Sequence, residues 1–174
     1  MPLVLVADVG GAASNTYATL LEAAAYHEAH PYASAWTALT VTDDQRNRAL
    51  ATATRLLDER VEWDGAVVND VQALLWPRSG MVYRSGYAIP TTVLPQGLKD
   101  ATAELARQLL ASDRTADSDA AAQGLTRIKA GPVELEFDRA TATQAVIPDA
   151  VYAMVALWGR EKRRTSVCIP LVRA

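Results

Sequence analysis

The segment from Thr42 to Val61 constrains the fold most. Ala49, Leu50, Ala53, Leu56, Leu57 and Val61 recur at three- and four-residue spacing. On a helix of 3.6 residues per turn they gather into one apolar stripe, with Arg46, Arg48, Arg55 and Asp58 on the other side. Thr42-Asp43-Asp44-Gln45 starts this helix. The Thr hydroxyl can accept the Gln45 amide while the Gln45 side chain reaches back, and two acids suit the positive end of the helix dipole. That face must bury against something, and Trp36, Leu39 and Trp63 are expected to cover it.

Other elements follow from the same kind of signal. Thr19-Leu20-Leu21-Glu22 is a second capping box and predicts a helix over 20–30. Pro95 opens a third helix to about residue 111, with Leu98, Ala101, Leu105 and Leu109 on one face and Thr102 at its margin. A short helix is expected over 69–75. A last one begins at Pro148, carries Val151, Tyr152, Val155, Leu157 and Trp158, and ends at Gly159. Residues 3–9 read as a strand stopped at Gly10-Gly11. Residues 125–137 alternate about Ala130-Gly131-Pro132 and predict a hairpin. Its Arg127 and Lys129 would face Glu134 and Glu136, each pair contributing roughly 0.2 to 1 kcal/mol.

Between 64 and 97 lie Gly65, Pro77, Gly80, Gly86, Pro90, Pro95 and Gly97, which predict an ordered loop and not a long element. Its Trp76, Arg78, Tyr83, Arg84 and Tyr87 are expected to make subunit contacts or to pack over the helices. The fold class expected is mainly α. A small helical bundle with an N-terminal strand occupies 1–111, a flexible connection 112–123, and the hairpin with its linker 124–147. The C-terminal helix and an extended docking arm occupy 148–174, the strands being the minor α+β component.

Charge is unevenly distributed. The formal net charge is -3, but residues 159–174 hold five cations against Glu161, a net of +4, which leaves -7 for residues 1–158. An acidic body argues against bulk nucleic-acid binding. Arg160, Lys162, Arg163 and Arg164, followed by Ser166 to Val172, read as an arm that docks on an acidic partner, with Ile169, Leu171 and Val172 as strand or anchor. The single Cys168 rules out a disulfide framework within the chain and a multi-cysteine zinc site. No stretch approaches the roughly 20 apolar residues of a membrane span, and a soluble protein is expected.

No G-x-S-x-G, phosphate loop or H-E-x-x-H occurs, so neither an enzyme nor a cofactor nor a metal site is expected. His27 and His30 read as solvated helix surface, as do the acids Asp43-Asp44 and Asp58-Glu59. The alternative is single-stranded nucleic-acid binding, with Trp63, Trp76, Tyr83 and Tyr87 as stacking platforms and Arg78 and Arg84 on phosphates.

The order of several motifs resembles a known family. They are Asn15-Thr16-Tyr17 ahead of the first capping box, Ala73-Leu74-Leu75-Trp76-Pro77-Arg78-Ser79-Gly80, Gly86-Tyr87-Ala88-Ile89-Pro90, Val93-Leu94-Pro95 and Ile128-Lys129-Ala130-Gly131-Pro132. They resemble phage head-tail connector (adaptor) proteins, some of which carry the label DnaT-like single-stranded-DNA-binding protein. The likeness covers nearly all of residues 1–137. It implies a homo-oligomeric ring of about twelve copies in the virion neck, made in the bacterial host cytoplasm. The ring would join the portal protein to a stopper or tail-completion protein, with DNA passing through its channel and no membrane involved. The tail beyond residue 147 departs from the pattern, so its docking role rests on charge and hydrophobicity alone.

Overall fold

A computed structural model describes residues 2–116, 127–130, 133–136 and 145–162. In chain order the elements are α1 (Leu20–Glu28), α2 (Ser34–Thr37), α3 (Asp43–Arg60), β1 (Val61–Trp63), β2 (Ala66–Val67) and β3 (Arg78–Ser79). They are followed by α4 (Gln96–Ala111), β4 (Arg127–Ala130), β5 (Val133–Glu136), α5 (Asp149–Val155) and β6 (Gly159–Glu161). Helix predominates and the strands form small antiparallel pairs, a mixed α+β fold. Both capping boxes are formed, at Thr19 with Glu22 and at Thr42 with Gln45.

Helix α4 is the hub, packing against α1, α2, α3 and α5. Leu98, Ala101, Thr102, Ala103, Glu104, Leu105 and Ala106 are all buried, so this helix is enclosed on most sides. Its alanines let neighbouring helices approach closely, which an apolar stripe alone does not reveal. The stripe of α3 is buried as its spacing predicts, through Leu50, Ala53, Leu56 and Leu57. Val151, Val155 and Trp158 join the same core, so α5 belongs to the bundle and is not a free arm. At Gly97 an added Cβ would sit 3.1 Å from the Trp158 ring and 3.3 Å from the Met154 carbonyl, the closeness at which α4 meets α5.

Several expectations are corrected. Residues 3–9 make no strand ladder. Side chains pair their backbone instead: Leu3 N donates to Asp44 Oδ1 at 2.8 Å, Asn47 Nδ2 donates to Leu3 O, and Asn15 bridges Val4 O and Val6 N. No helix forms over 69–75, because side chains there take the backbone groups a helix would use. Asn69 Oδ1 accepts from Val71 N, and Gln72 Nε2 donates to Leu74 O at 2.7 Å and to Pro77 O. Leu39 covers nothing and is fully exposed, whereas Trp36 and Trp63 are buried. His27 is not surface but core: its Nε2 donates to Ala103 O at 3.1 Å and its ring lies on Trp36.

The root of the C-terminal arm is also stitched in. β6 pairs antiparallel with β1, in the register Val61↔Glu161, Glu62↔Arg160 and Trp63↔Gly159. Gly159 is required there for approach, since a Cβ would lie 2.7 Å from Val61 Cγ1 and 2.8 Å from Glu62 O. The hairpin takes the expected register, with Arg127 opposite Glu136 and Lys129 opposite Glu134. No helix among the described residues is long and apolar enough to cross a membrane.

Candidate interaction surfaces

Half of the residues that the sequence marks for stacking and phosphate contact, Trp63, Trp76 and Arg78, lie inside. Trp76 is buried between Trp63 and Trp158, each ring centroid 5.8 Å away in an edge-on arrangement. Trp158 Nε1 donates to Val82 O at 2.8 Å and ties the loop to α5. Arg78 is buried and directs its guanidinium at backbone carbonyls. Nε donates to Asp64 O at 2.5 Å, Nη1 to Leu75 O, and Nη2 to Gly65 O at 2.8 Å and Trp63 O at 3.3 Å. A planar fork with five donors suits that task, and a guanidinium so satisfied has little left for a phosphate.

Asp58 closes the same cluster and is not the solvated acid its position suggested. Its Oδ1 accepts from Tyr17 OH at 2.6 Å and Trp63 Nε1 at 3.0 Å, and its Oδ2 accepts from Leu75 N at 3.1 Å. Burial raises its pKa, and these three donors only partly offset that. Burial, and then the nearby Asp58 charge, pushes the Tyr17 phenol well above its usual value. Nothing in the local sequence marks this arrangement. Its donors come from residues 17, 63 and 75, which only the folded chain brings together.

The tip of the loop, residues 84–88, stands in solvent, between the buried Met81 and Ile89. Val82 and Ala88 form a bridge, Tyr83 N donates to Tyr87 O, and Gly86 N donates to Tyr83 O, each at 2.8 Å. Gly86, at φ 86°, supplies the left-handed residue this turn needs. The tip presents Arg84 and Tyr87, the latter 76% exposed, with Tyr83 half-buried beneath.

The cations of the body are largely committed. Residues 1–111 hold eight Lys and Arg against twelve Asp and Glu, a net of -4. Arg46 pairs with Asp43, Arg48 with Asp44, Arg55 with Glu59, Lys99 with Glu22 and Arg107 with Glu104, while Arg78 is taken by carbonyls. Arg60 and Arg84 are the two without an ion pair or carbonyl cage among the described residues. Exposed pairs add little stability, but they cancel the field that phosphate binding needs.

Arg160 lies exposed on β6. Lys162 N donates to Arg60 O at 2.8 Å, placing the start of the tail at the C-terminal end of α3. Arg163, Arg164, Ile169, Leu171 and Val172 lie outside the described residues, and of Arg127, Lys129, Glu134 and Glu136 only the backbone register is described. Of the connection over 112–123, residues 112–116 are described, and Arg114 is buried there. Its Nη2 donates to Ala145 O at 2.6 Å and its Nε to Val146 O, fixing the end of α4 to the approach to α5.

Sequence reasoning missed one surface. Leu20, Leu21, Ala24, Trp36 and Thr37 line an open groove of about 710 Å³ between α1 and the start of α3, rimmed by Glu28, Asp43 and Arg46. Leu21 is 80% exposed, an unusual place for a leucine unless something covers it. The adjacent Leu20-Leu21 was the available signal, because neighbouring helix positions point about 100° apart and only one can face the core. No group of three or more His, Cys, Asp or Glu among the described residues could hold a metal.

Fold and surfaces together define a small helical α+β protein whose prominent tryptophans and most of whose body cations serve its own structure. The chain belongs to the family described as "Putative DnaT-like ssDNA binding protein", whose model matches residues 1–174. No curated protein and no solved structure matches it. The match carries one of the two labels reached from the sequence motifs, and the head-tail connector label is matched by none of these comparisons.

Proposed function

We propose that the chain is a non-enzymatic structural subunit, a head-tail connector of a tailed phage that assembles as a ring between portal and stopper or tail-completion protein. The observation that carries this reading is the charge disposition. The body is net negative, with six of its eight cations held by intrachain partners, and the excess positive charge lies in residues 159–174. A channel wall of that kind lets DNA slide, and a basic arm holds an acidic neighbour. The exposed apolar groove on α1 adds a surface that association would bury.

The second reading, single-stranded DNA binding, is favoured by the family description. On this chain it would rest on the Tyr83–Tyr87 tip with Arg84, since Trp63, Trp76 and Arg78 are internal. Two measurements on the full chain separate the readings: co-sedimentation with portal rings, and fluorescence anisotropy of a labelled oligothymidylate over a range of salt. The connector reading predicts portal binding and no oligonucleotide affinity at moderate salt. Oligonucleotide binding that weakens as salt rises and is lost in Tyr87→Ala, with no portal binding, would overturn it.

A further inference from the structure

We propose that His27 is an acid-operated latch, whose protonation releases α1 from α4 while α3, α4 and α5 stay packed. This goes beyond both functional readings and depends on neither. His27 lies in the last turn of α1, is 1% exposed, and carries a hydrogen bond from α1 to the α4 backbone. A carbonyl only accepts, so the proton of the neutral ring sits on Nε2, which donates to Ala103 O at 3.1 Å. Nδ1 is then the bare nitrogen, and it is buried with no partner among the described residues. The ring centre lies 4.6 Å from that of Trp36 in α2 and meets Tyr26 edge-on at 5.0 Å. A neutral imidazole suits such a site. A second proton has to go on Nδ1, where it puts a charge and an unanswered donor among aromatic rings.

The charged neighbours do not relieve it. Glu104 of α4 is the anion that acts on the ring, and its carboxylate is already held by Arg107 Nε and Nη2 and by Gln108. Arg107 of α4 and His30 of α1, whose ring is 6.4 Å away, oppose a charge on His27. Tyr26 is a neutral phenol, α2 brings no titratable group, and Arg46 of α3 stands over Trp36. Burial is the largest cause, and it lowers the His27 pKa from 6.5 to about 4. Released His27 therefore binds its proton more tightly than latched His27. The latch is shut above about pH 6.5 and loosens as pH falls towards 4; between pH 7.5 and 5 the opening constant of α1 rises about thirtyfold, while most carboxylates keep their charge. α1 is also poorly placed to resist. It buries only Ala23 and His27, against six residues of α3, and another of its ties to α4 is the part-exposed Glu22–Lys99 pair. A nine-residue helix does not persist once it leaves its support. The groove of Leu20, Leu21, Ala24 and Trp36 is built on the same helix, so acid dismantles that surface too.

Hydrogen exchange of the full chain, followed by mass spectrometry of its fragments at pH 7.5 and pH 5 and corrected for the intrinsic pH dependence of exchange, reads the latch directly. Protection over α1 should fall about thirtyfold between the two, and at both it should stay at least about tenfold below that of α3, because α1 opens on its own. The fall should vanish in His27→Gln, whose amide can still donate to Ala103 O but cannot titrate, and it should persist in His30→Gln. Equal protection in the two helices would overturn the proposal, since α1 would then leave only with the whole fold. So would a fall that is absent from the unaltered chain, retained in His27→Gln or lost in His30→Gln. The unaltered chain decides the first two of these outcomes by itself, so a His27→Gln chain that fails to fold does not rescue the proposal.

Discussion

Two aromatic–arginine pairs sit within one loop and meet opposite fates. Trp76 and Arg78 are buried, the indole between two other tryptophans and the guanidinium among four backbone carbonyls. Arg84 and Tyr87, a few residues on, stand at the tip of a turn in solvent. By composition the two pairs are equivalent candidates for stacking and phosphate contact. What separates them is the supply of backbone acceptors, since Asp64 to Ala66 run past Arg78 and, among the described residues, no backbone carbonyl accepts from Arg84. An arginine near a tryptophan is therefore weak evidence for nucleic-acid binding until its carbonyl neighbours are known.

The contrast can be broken by mutation. Trp76→Ala should cost about 3 to 5 kcal/mol in chemical denaturation, because it empties the centre of the tryptophan cluster. A stability loss under about 1 kcal/mol would remove the cluster from the core account. The buried histidine of α1, His27, gives a pH signature. Burial lowers the His27 pKa from 6.5 to about 4. Between those values the unfolded chain binds a proton that the folded chain does not, so stability should fall as pH drops from about 6.5 towards 4, by about 3 kcal/mol in all. His27→Phe should flatten that slope in denaturant midpoints measured across pH, even though it forfeits the bond to Ala103 O. Arg78→Leu should cost about 2 to 3 kcal/mol by leaving carbonyls unpaired, and Arg78→Lys should recover little, because an ammonium cannot span four acceptors. At the tip, Arg84→Ala and Tyr87→Ala should change stability by less than about 0.5 kcal/mol, detectable only as a change in assembly or binding.

Legibility in the sequence follows the same divide between local and long-range signals. Both capping boxes, the α3 stripe, the Pro95 helix start and the register of Arg127 and Lys129 against Glu136 and Glu134 were readable, because each depends on residues a few positions apart. The helix expected over 69–75 was not to be had, since Asn69 and Gln72 take local backbone groups with their side chains. His27 reads as surface when only its neighbours are counted. Its burial comes from α4, 76 residues away, and from Trp36. Asp58 is hidden for the same reason, its three donors being scattered over residues 17, 63 and 75. Gly159 reads as a helix stop in the sequence, while its role is to let β6 lie against Val61. The candidate surfaces divide likewise: the charge of the tail is plain in the sequence, and the groove on α1 exists only once α1, α2 and α3 are packed.

The central claim, a subunit built to assemble, is tested most directly by the native mass of the full chain alone, measured by native mass spectrometry or light scattering over a range of concentrations at moderate salt. The account predicts a closed, ring-sized oligomer that builds up with concentration and loses mass when the chain is cut after Lys162, a cut that leaves β6 in place. A monomer at every concentration, shifting in mass only when single-stranded DNA is added, would contradict it.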